Sequence, residues 1–230
     1  MARRGVMELL AGGATALLSG CGLFGGNSYR FKMTVDVETT EGVMTGSSIY
    51  KVLAFKTSEL ITGGSSSDST LTGEALAMDL PGGKTLFALL RMASGTSADD
   101  HLAIMSMRAM DPAFANNKVE SAQRISSGNG INSPVEVAPE DYPLLVTFAG
   151  INDPTSVERV DPANFAASFG SGVRLKRIVV EKTDENVTTG IEGRLGWLLD
   201  DNRKRFGPGD KPQGIPIGNY RGLFSTEFSK

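Results

Sequence analysis

Hydrophobic and polar residues alternate along much of this chain, a period-two pattern typical of strands that are buried on one face. The clearest example is residues 29–38, where Phe31, Met33, Val35 and Val37 alternate with charged or hydroxyl side chains. Turn-forming residues separate several of these segments, so neighbouring strands are expected to pair as hairpins. The predicted strands cover residues 29–38, 45–56, 71–80, 85–91, 144–148 and 173–181.

Three shorter segments change to helical spacing and carry helix-boundary signals. Asp161 stands before a proline and Gly170 closes the same segment, both of which mark the ends of a short helix. Glu192 stands three residues after Thr189, the spacing of a capping box. The predicted helices cover residues 98–110, 162–169 and 190–199. The pattern as a whole predicts an α+β fold, predominantly antiparallel β-sheet with about three short helices.

Polar segments and turns separate these elements. Residues 62–69 contain only Gly, Ser, Thr and Asp, so they are predicted as a solvated loop. Residues 111–143 are polar and rich in turn-forming residues, which predicts a long loop or a subdomain junction. Pro81 and Gly82 predict a type II turn between two strands, because proline fixes φ at its first central position and glycine allows a positive φ at the next.

The first 20 residues have the pattern of a secretory signal peptide. Arg3 and Arg4 precede a run of ten apolar or small residues at 9–18. That run is shorter than the about 20 residues that a transmembrane helix needs. The motif LSGC at residues 18–21 then resembles the lipobox of bacterial lipoproteins, a family in which the cysteine, here Cys21, is diacylated and becomes the first residue of the mature protein.

The lipobox resemblance implies that Cys21 anchors the protein in a membrane, since each buried CH₂ of an acyl chain contributes ~0.8 kcal/mol. Gly22 rather than aspartate follows the cysteine, which favours the outer over the inner membrane of a bacterial envelope, with the protein facing the periplasm. The expected organisation is a signal peptide at 1–20, a flexible tether at 21–28, a single α+β domain at 29–200 and a Gly/Pro-rich extension at 201–230.

Composition excludes several classes of function. The chain has 230 residues, of which 40% are hydrophobic, with 28 Gly and 10 Pro, which fits a globular protein with many turns. One Cys and one His exclude an intramolecular disulfide framework and a Cys-based zinc cluster, and no metal or cofactor is predicted. Residues 21–230 carry 21 basic and 25 acidic side chains, a balance that gives no electrostatic footprint for nucleic acid.

Few residues offer chemistry, and each has a simpler structural interpretation. His101 lies near a predicted helix start, and the chain has no Gly-x-Ser-x-Gly elbow to supply a nucleophile beside it. Asp184 and Glu185, with Glu181 nearby, could pair for acid–base work, but at a strand end they are expected to be solvated. Lys84 resembles the lysine of a phosphate-binding loop that lacks its first glycine. The sequence therefore predicts no catalytic residue.

Three stretches of the chain are similar to an uncharacterised family of proteobacterial envelope proteins and lipoproteins. They are FKMTVDVE at 31–38 with GSS at 46–48, GEALAMDLPGGKTLFALL at 73–90, and the region from Phe169-Gly170 through RLKR at 174–177 to TTGIE at 188–192 and Trp197-Leu198. The likeness covers most of residues 29–200. It implies a bacterial envelope location, and because that family has no assigned activity it transfers no catalytic residue.

The expected function is therefore a non-catalytic binding or structural module, held at the envelope membrane through Cys21, with an envelope protein or a small ligand as its partner. The alternative is an envelope hydrolase that uses carboxylates, with or without His101. Turnover of a substrate that is lost on His101→Ala would favour this alternative.

Overall fold

The period-two segments pair into two antiparallel β-sheets, which confirms the predicted α+β class. The computed structural model describes residues 26–57, 66–94, 102–200 and 228. The strands are β1 (Gly26–Thr39), β2 (Gly42–Thr57), β3 (Ser66–Thr72), β4 (Leu76–Leu80), β5 (Lys84–Met92), β6 (Val135–Glu136), β7 (Pro143–Phe148), β8 (Val157–Arg159) and β9 (Arg174–Lys182). The helices are α1 (Leu102–Met110), α2 (Lys118–Ser126), α3 (Phe165–Phe169) and α4 (Trp197–Asp200), with 3₁₀ turns at Pro139–Asp141, Pro154–Ser156 and Ile191–Gly193.

Several sequence predictions fall outside the described ranges. The signal peptide, Cys21 and His101 are among them, as is the 201–230 extension apart from Phe228. β1 begins at Gly26, so the last three residues of the predicted tether belong to a strand. In the part of the chain that is described, no helix is both long and apolar enough to cross a bilayer.

Sheet 1 has the strand order β3-β2-β1-β9-β6, and sheet 2 has the order β4-β5-β7-β8. The inner face of sheet 1 follows the alternation in the sequence: Phe31, Met33 and Val35 on β1 are fully buried. These side chains join Tyr50 on β2 and the inward side chains of β4 and β5 in one hydrophobic core. The period-two pattern was therefore a correct guide to which face of sheet 1 is buried.

The two inner strands of sheet 2, β5 and β7, are buried on both faces. Leu86 and Leu90 on β5 point into the core shared with sheet 1. Phe87 and Leu89 point the other way, into a second core with the C-terminal residues of the fold. A strand covered on both sides has no polar face to preserve, which explains why residues 86–90 read as an unbroken apolar run.

The segment 111–143, predicted as a long loop, instead contains α2, β6 and a 3₁₀ turn, so the loop prediction was wrong. The Asn117 side chain accepts a hydrogen bond from the Glu120 backbone N–H at 3.2 Å, and its Nδ2 donates to the Glu120 carboxylate at 3.1 Å. This reciprocal arrangement caps the N-terminus of α2. The helix turns Ser121, Ala122 and Ile125 inward, a buried face with too little apolar character for the sequence pattern to reveal.

Two strand boundaries also differ from the sequence prediction. Residues 66–69, predicted as part of a solvated loop, form the first half of β3. Residues 71–80, predicted as one strand, are divided between β3 and β4 by a break at Gly73 with φ +146°. A Cβ at this glycine would lie 2.7 Å from Tyr50 Cδ1, so the chain can pass here only because residue 73 has no side chain.

The hairpin between β4 and β5 has the positive φ predicted at Gly82, which is +87°. Gly83 also has a positive φ, of +78°, and Leu80 pairs directly with Lys84. The connection is thus a three-residue loop. Lys84 Nζ donates a hydrogen bond to the Ser168 carbonyl at 2.7 Å, a structural contact with α3 that the sequence did not predict.

The predicted helix at 190–199 is interrupted, and its predicted capping box does not form. The 3₁₀ turn Ile191–Gly193 and α4 (Trp197–Asp200) replace it, with Gly190 in a left-handed conformation before the 3₁₀ turn. The Ile191 N–H instead donates a hydrogen bond to the side chain of Glu74, 117 residues earlier in the chain. Gly190 and the Glu74 carboxylate together therefore fix the start of the 3₁₀ turn.

Candidate functional site

A small cleft lies where the edge of sheet 1 meets sheet 2. Strand β2 contributes Ser47 and Ser48, the β3–β4 link and the start of β4 contribute residues 74–77, and the chain after β9 contributes residues 188–191 and Arg194. The cleft has a volume of about 140 Å³. A ligand pocket for a drug-sized molecule has roughly 300–1,000 Å³, so this cleft accommodates a group of a few atoms.

Glu74 is the buried charged residue of the cleft, with 6% of its surface exposed. Its Oε2 accepts the Ile191 N–H at 2.7 Å, and its backbone carbonyl accepts the Ser48 hydroxyl at 3.0 Å. These two bonds fix the side chain and the main chain of the residue at once. A buried carboxylate needs such partners because desolvation of an unpaired charge is expensive.

Thr188 holds the C-terminal wall of the cleft against β2. Its hydroxyl accepts the Ile49 N–H at 2.9 Å, and its own N–H donates to the Ile49 carbonyl at 3.1 Å. The pair of bonds continues the ladder of β2 just beyond the point where β3 ends, since β3 pairs with β2 only from Lys51 onward. These bonds to the Ile49 backbone hold Thr188 and its neighbour Thr189 in the lining of the cleft.

Among the charged residues described at the cleft, the Glu74 carboxylate has no cationic partner. Arg194 lies on the rim, but its guanidinium donates to Asp79 Oδ1 at 2.7 Å. The hydrogen bonds from Arg194 and from the Thr85 hydroxyl hold the pKa of Asp79 below its usual value. Among the described residues, the one hydrogen bond to the Glu74 carboxylate comes from a neutral backbone N–H. The cleft therefore presents a carboxylate and hydroxyls, which suit a small polar or cationic group.

A second, larger cavity of about 280 Å³ lies beside β1 and β2. It is lined by Ser28, Tyr29, Arg30, Lys51 and Asp184. Arg30 and Lys51 are cross-strand neighbours, and two cations placed opposite each other repel. Asp184 supplies a negative charge near them.

The carboxylates proposed for the hydrolase alternative lie at and just beyond the end of β9, and two of them, Glu181 and Glu185, are neighbours of Lys32. Glu185 Oε1 lies 3.5 Å from Lys32 Nζ, and its side chain is 59% exposed. Asp184 is also exposed and lines the second cavity. Glu181 lies within β9, opposite Lys32. His101, the other residue of that alternative, lies outside the described part of the chain.

The most buried aspartates elsewhere in the described structure hold the fold together. Burial raises the pKa of Asp111, but the hydrogen bonds and charge of Arg124 outweigh this effect, so the pKa is lowered overall. Asp36 behaves in the same way: burial opposes its ionisation, and Arg177 and Thr45 restore it, so its pKa is also lowered. Within the described ranges, no group of three or more His, Cys, Asp or Glu residues is arranged to hold a metal ion.

Comparison of the chain with protein-family models, with curated proteins and with solved structures finds no match. The similarity to envelope proteins and lipoproteins therefore stays a prediction. The functional assignment rests on the sequence motifs and on the geometry of the cleft.

Proposed function

We propose that this protein is a lipid-anchored protein of the bacterial envelope whose folded domain is a non-catalytic binding or structural module. The observation that carries the proposal is the motif at residues 18–21, which places the only cysteine of the chain directly after a signal-like apolar run. Acylation at Cys21 gives the chain its membrane partner. The absence of aspartate after Cys21 favours the outer membrane, with the domain in the periplasm.

Metabolic labelling tests the anchor. Cells that express the full chain are grown with radiolabelled palmitate, and the expected result is label in the wild type and none in Cys21→Ala or Cys21→Ser. The serine variant is the matched control, because it preserves size and polarity and removes only the thiol. Label that survives either substitution contradicts the anchor.

The binding part of the proposal is supported by the way the described carboxylates are used. Asp36 and Asp111 are each paired with an arginine, and Asp79 is paired with Arg194. Glu74 is buried as well, but it lines a cleft, and among the described residues its carboxylate receives one hydrogen bond, from a neutral backbone N–H. We assign ligand contact to the Glu74 cleft, with a single amino group or another small cationic group as the ligand chemistry.

The Glu74 cleft is tested with methylammonium as the probe. The ion is added to residues 21–230 with Cys21→Ala, and backbone amide chemical shifts are followed by NMR. Acetate and sodium chloride at equal ionic strength are the references. Methylammonium is expected to shift the amides of residues 47–48, 74–77 and 188–191, and acetate is not.

Glu74→Gln is the matched variant for this experiment. The amide oxygen of the glutamine can still accept the Ile191 N–H although the charge is lost, so the 3₁₀ turn Ile191–Gly193 is expected to stay folded. The shifts should disappear in this variant. Equal responses of the wild type and the variant, or equal responses to acetate and methylammonium, contradict the assignment.

A further inference from the structure

The side of β2 that faces away from β1 is paired along only part of its length. β3 pairs with this side from Thr57 to Lys51, and Thr188 takes the next position, opposite Ile49. Before Ile49, no strand of the described chain pairs with this side of β2. Residues 43–47 therefore form an open sheet edge, which we call the β2 edge.

The bonds of Ile49 show which backbone groups the β2 edge presents. In an antiparallel ladder the N–H and C=O of one residue point to the same side of the strand, and that side alternates from residue to residue. Both groups of Ile49 bond to Thr188, away from β1. The N–H and C=O groups of Ser47, Thr45 and Val43 therefore also point away from β1, and none of them has a hydrogen-bond partner among the described residues. Such a row of groups is a template for a further strand.

The β2 edge is accessible and carries none of the usual protection against pairing. Ser47 and Thr45 are exposed, and the side chain of Val43 is 50% exposed. Proteins commonly protect an open edge with charged side chains or proline. Residues 42–48, GVMTGSS, contain neither. The segment is thus suited to accept a strand rather than to repel one.

The β2 edge ends at the Glu74 cleft, because Ser47 and Ser48 also line that cleft. Glu74 is 6% exposed, and its Oε2 accepts the Ile191 N–H. Its other oxygen, Oε1, accepts no hydrogen bond from the residues that the structure describes. A cationic group at this end of the β2 edge would therefore meet a carboxylate with an unused acceptor.

The direction of pairing decides which end of an added strand reaches Glu74. Both described neighbours of β2 run antiparallel to it. A further segment in the same sense begins opposite Ser47 and continues toward Val43, so its N-terminal amino group lies at the Glu74 cleft. A parallel segment would instead bring a C-terminal carboxylate to Glu74, and two negative charges repel each other.

We propose that the β2 edge and the Glu74 cleft together bind an extended protein segment that has a free N-terminal amino group. The segment adds as a strand antiparallel to residues 43–47, and its main-chain hydrogen bonds supply affinity, as in β-augmentation. The amino group pairs with Glu74 and selects the end of the partner chain. The inference rests on the proposed function in one respect, the assignment of an amino group as the ligand of Glu74.

Three synthetic peptides test the proposal, all with the sequence TAVAVS and an amidated C-terminus. The first has a free amino group, the second is N-acetylated, and the third has a free amino group but a methyl group on the backbone nitrogen of its third residue, which would pair with Thr45. The second residue is alanine because Met78 already packs against Gly46, its partner on β2. The protein is residues 21–230 with Cys21→Ala, and binding is followed through its backbone amide shifts by NMR.

The peptide with a free amino group is expected to shift the amides of residues 43–47 and 188–191. The acetylated and the methylated peptides should each need at least roughly tenfold higher concentrations, because each loses one of the two sets of contacts. Glu74→Gln should bind the free and the acetylated peptides equally. The comparison of the three peptides uses the protein with Glu74 intact, so it does not depend on the folding of the variant.

The proposal is overturned if the three peptides bind equally, if none binds, or if acetylation or methylation alone has no effect. Failure of the proposed function has a different signature, since methylammonium would then leave the amides of the cleft unchanged. If methylammonium shifts these amides and the free peptide does not bind, the small-cation assignment stands and the strand-addition proposal falls.

A second copy of the chain could also pair with the β2 edge. Sedimentation of the same protein at rising concentration tests this, and a monomer is expected throughout. A dimer that the free peptide dissociates would show that the β2 edge serves self-association, and the proposal of a partner with a free N-terminus would fall.

Discussion

Gly73, at the break between β3 and β4, provides a sharp test of the packing described above. Gly73→Ala introduces two costs. Its φ of +146° lies in a region that L-residues avoid, at about 1–3 kcal/mol. The new Cβ would also lie 2.7 Å from Tyr50 Cδ1 and 3.2 Å from the Ile49 carbonyl oxygen. Tyr50 is fully buried and stacked on Phe31 with ring centroids 5.0 Å apart, so its ring has no free space to move into.

Forcing an extra carbon into a filled core costs about 1–3 kcal/mol, so Gly73→Ala should lose about 2–6 kcal/mol of unfolding free energy in all. Gly82→Ala is the matched control, since Gly82 also has a positive φ, of +87°, but a Cβ added there would meet no other atom within 4 Å. Its cost should be the backbone strain alone, about 1–2 kcal/mol. Both substitutions restrict the unfolded chain equally, so this effect cancels in the comparison.

The assay is urea unfolding of the two variants and the parent protein, followed by circular dichroism. The slope of free energy against urea concentration should be unchanged, and the midpoint of Gly73→Ala should lie well below that of Gly82→Ala. If the two variants unfold at the same midpoint, the close approach of residue 73 to Tyr50 is not a determinant of stability and the reasoning fails.

Two further predictions concern buried polar groups. Asp111 has a folded-state pKa below its unfolded value, so its pairing with Arg124 stabilises the protein above about pH 4, and this contribution is lost as the pH falls through the folded pKa. Asp111→Asn should therefore be less stable than the parent protein at neutral pH, and its free energy of unfolding should fall less on acidification. Urea unfolding at several pH values measures this, and an equal loss of stability at acid pH in both proteins would contradict the prediction. The hydroxyls of Tyr29 and Ser106 lie 2.7 Å apart in the core, so Ser106→Ala should lower the free energy of unfolding by about 1–3 kcal/mol, because the buried phenol loses a partner. Adding Tyr29→Phe should recover part of this loss, as measured by thermal melts. A double variant that is less stable than Ser106→Ala would argue against this.

The sequence was most informative where one face of a strand is buried and the other is solvated. β1 and β9 were predicted nearly to their ends because alternation there matches burial. α2 was missed because Ser121 and Ala122 occupy buried positions that usually carry larger apolar residues. Its one clear signal was the pair Asn117 and Glu120, which has the spacing of a cap.

The candidate site could not be predicted from the sequence because its parts are brought together by the fold. Glu74 and Ile191 are 117 residues apart, and neither lies in a motif that suggests contact. The capping-box pattern at Thr189 even pointed to a different partner for this turn. Phe228, which is fully buried in the second core, was equally hidden, since its ring packs against three aromatic residues from β5, β7 and α4 that no local pattern connects to it.

The position of β1 at the centre of sheet 1 has a consequence for the order of events during synthesis. One edge of β1 is paired at once by β2, but the other waits for β9, whose Glu181 pairs with Lys32. At about 5–20 residues per second, the ~140 residues between the end of β1 and the end of β9 take roughly 7–30 s to make. During that interval the middle of the future sheet is an open edge, able to pair with a neighbouring chain. A chain that ends before β9 therefore keeps this edge of β1 unpaired and prone to aggregation, whereas a chain that includes β9 is able to close its own sheet.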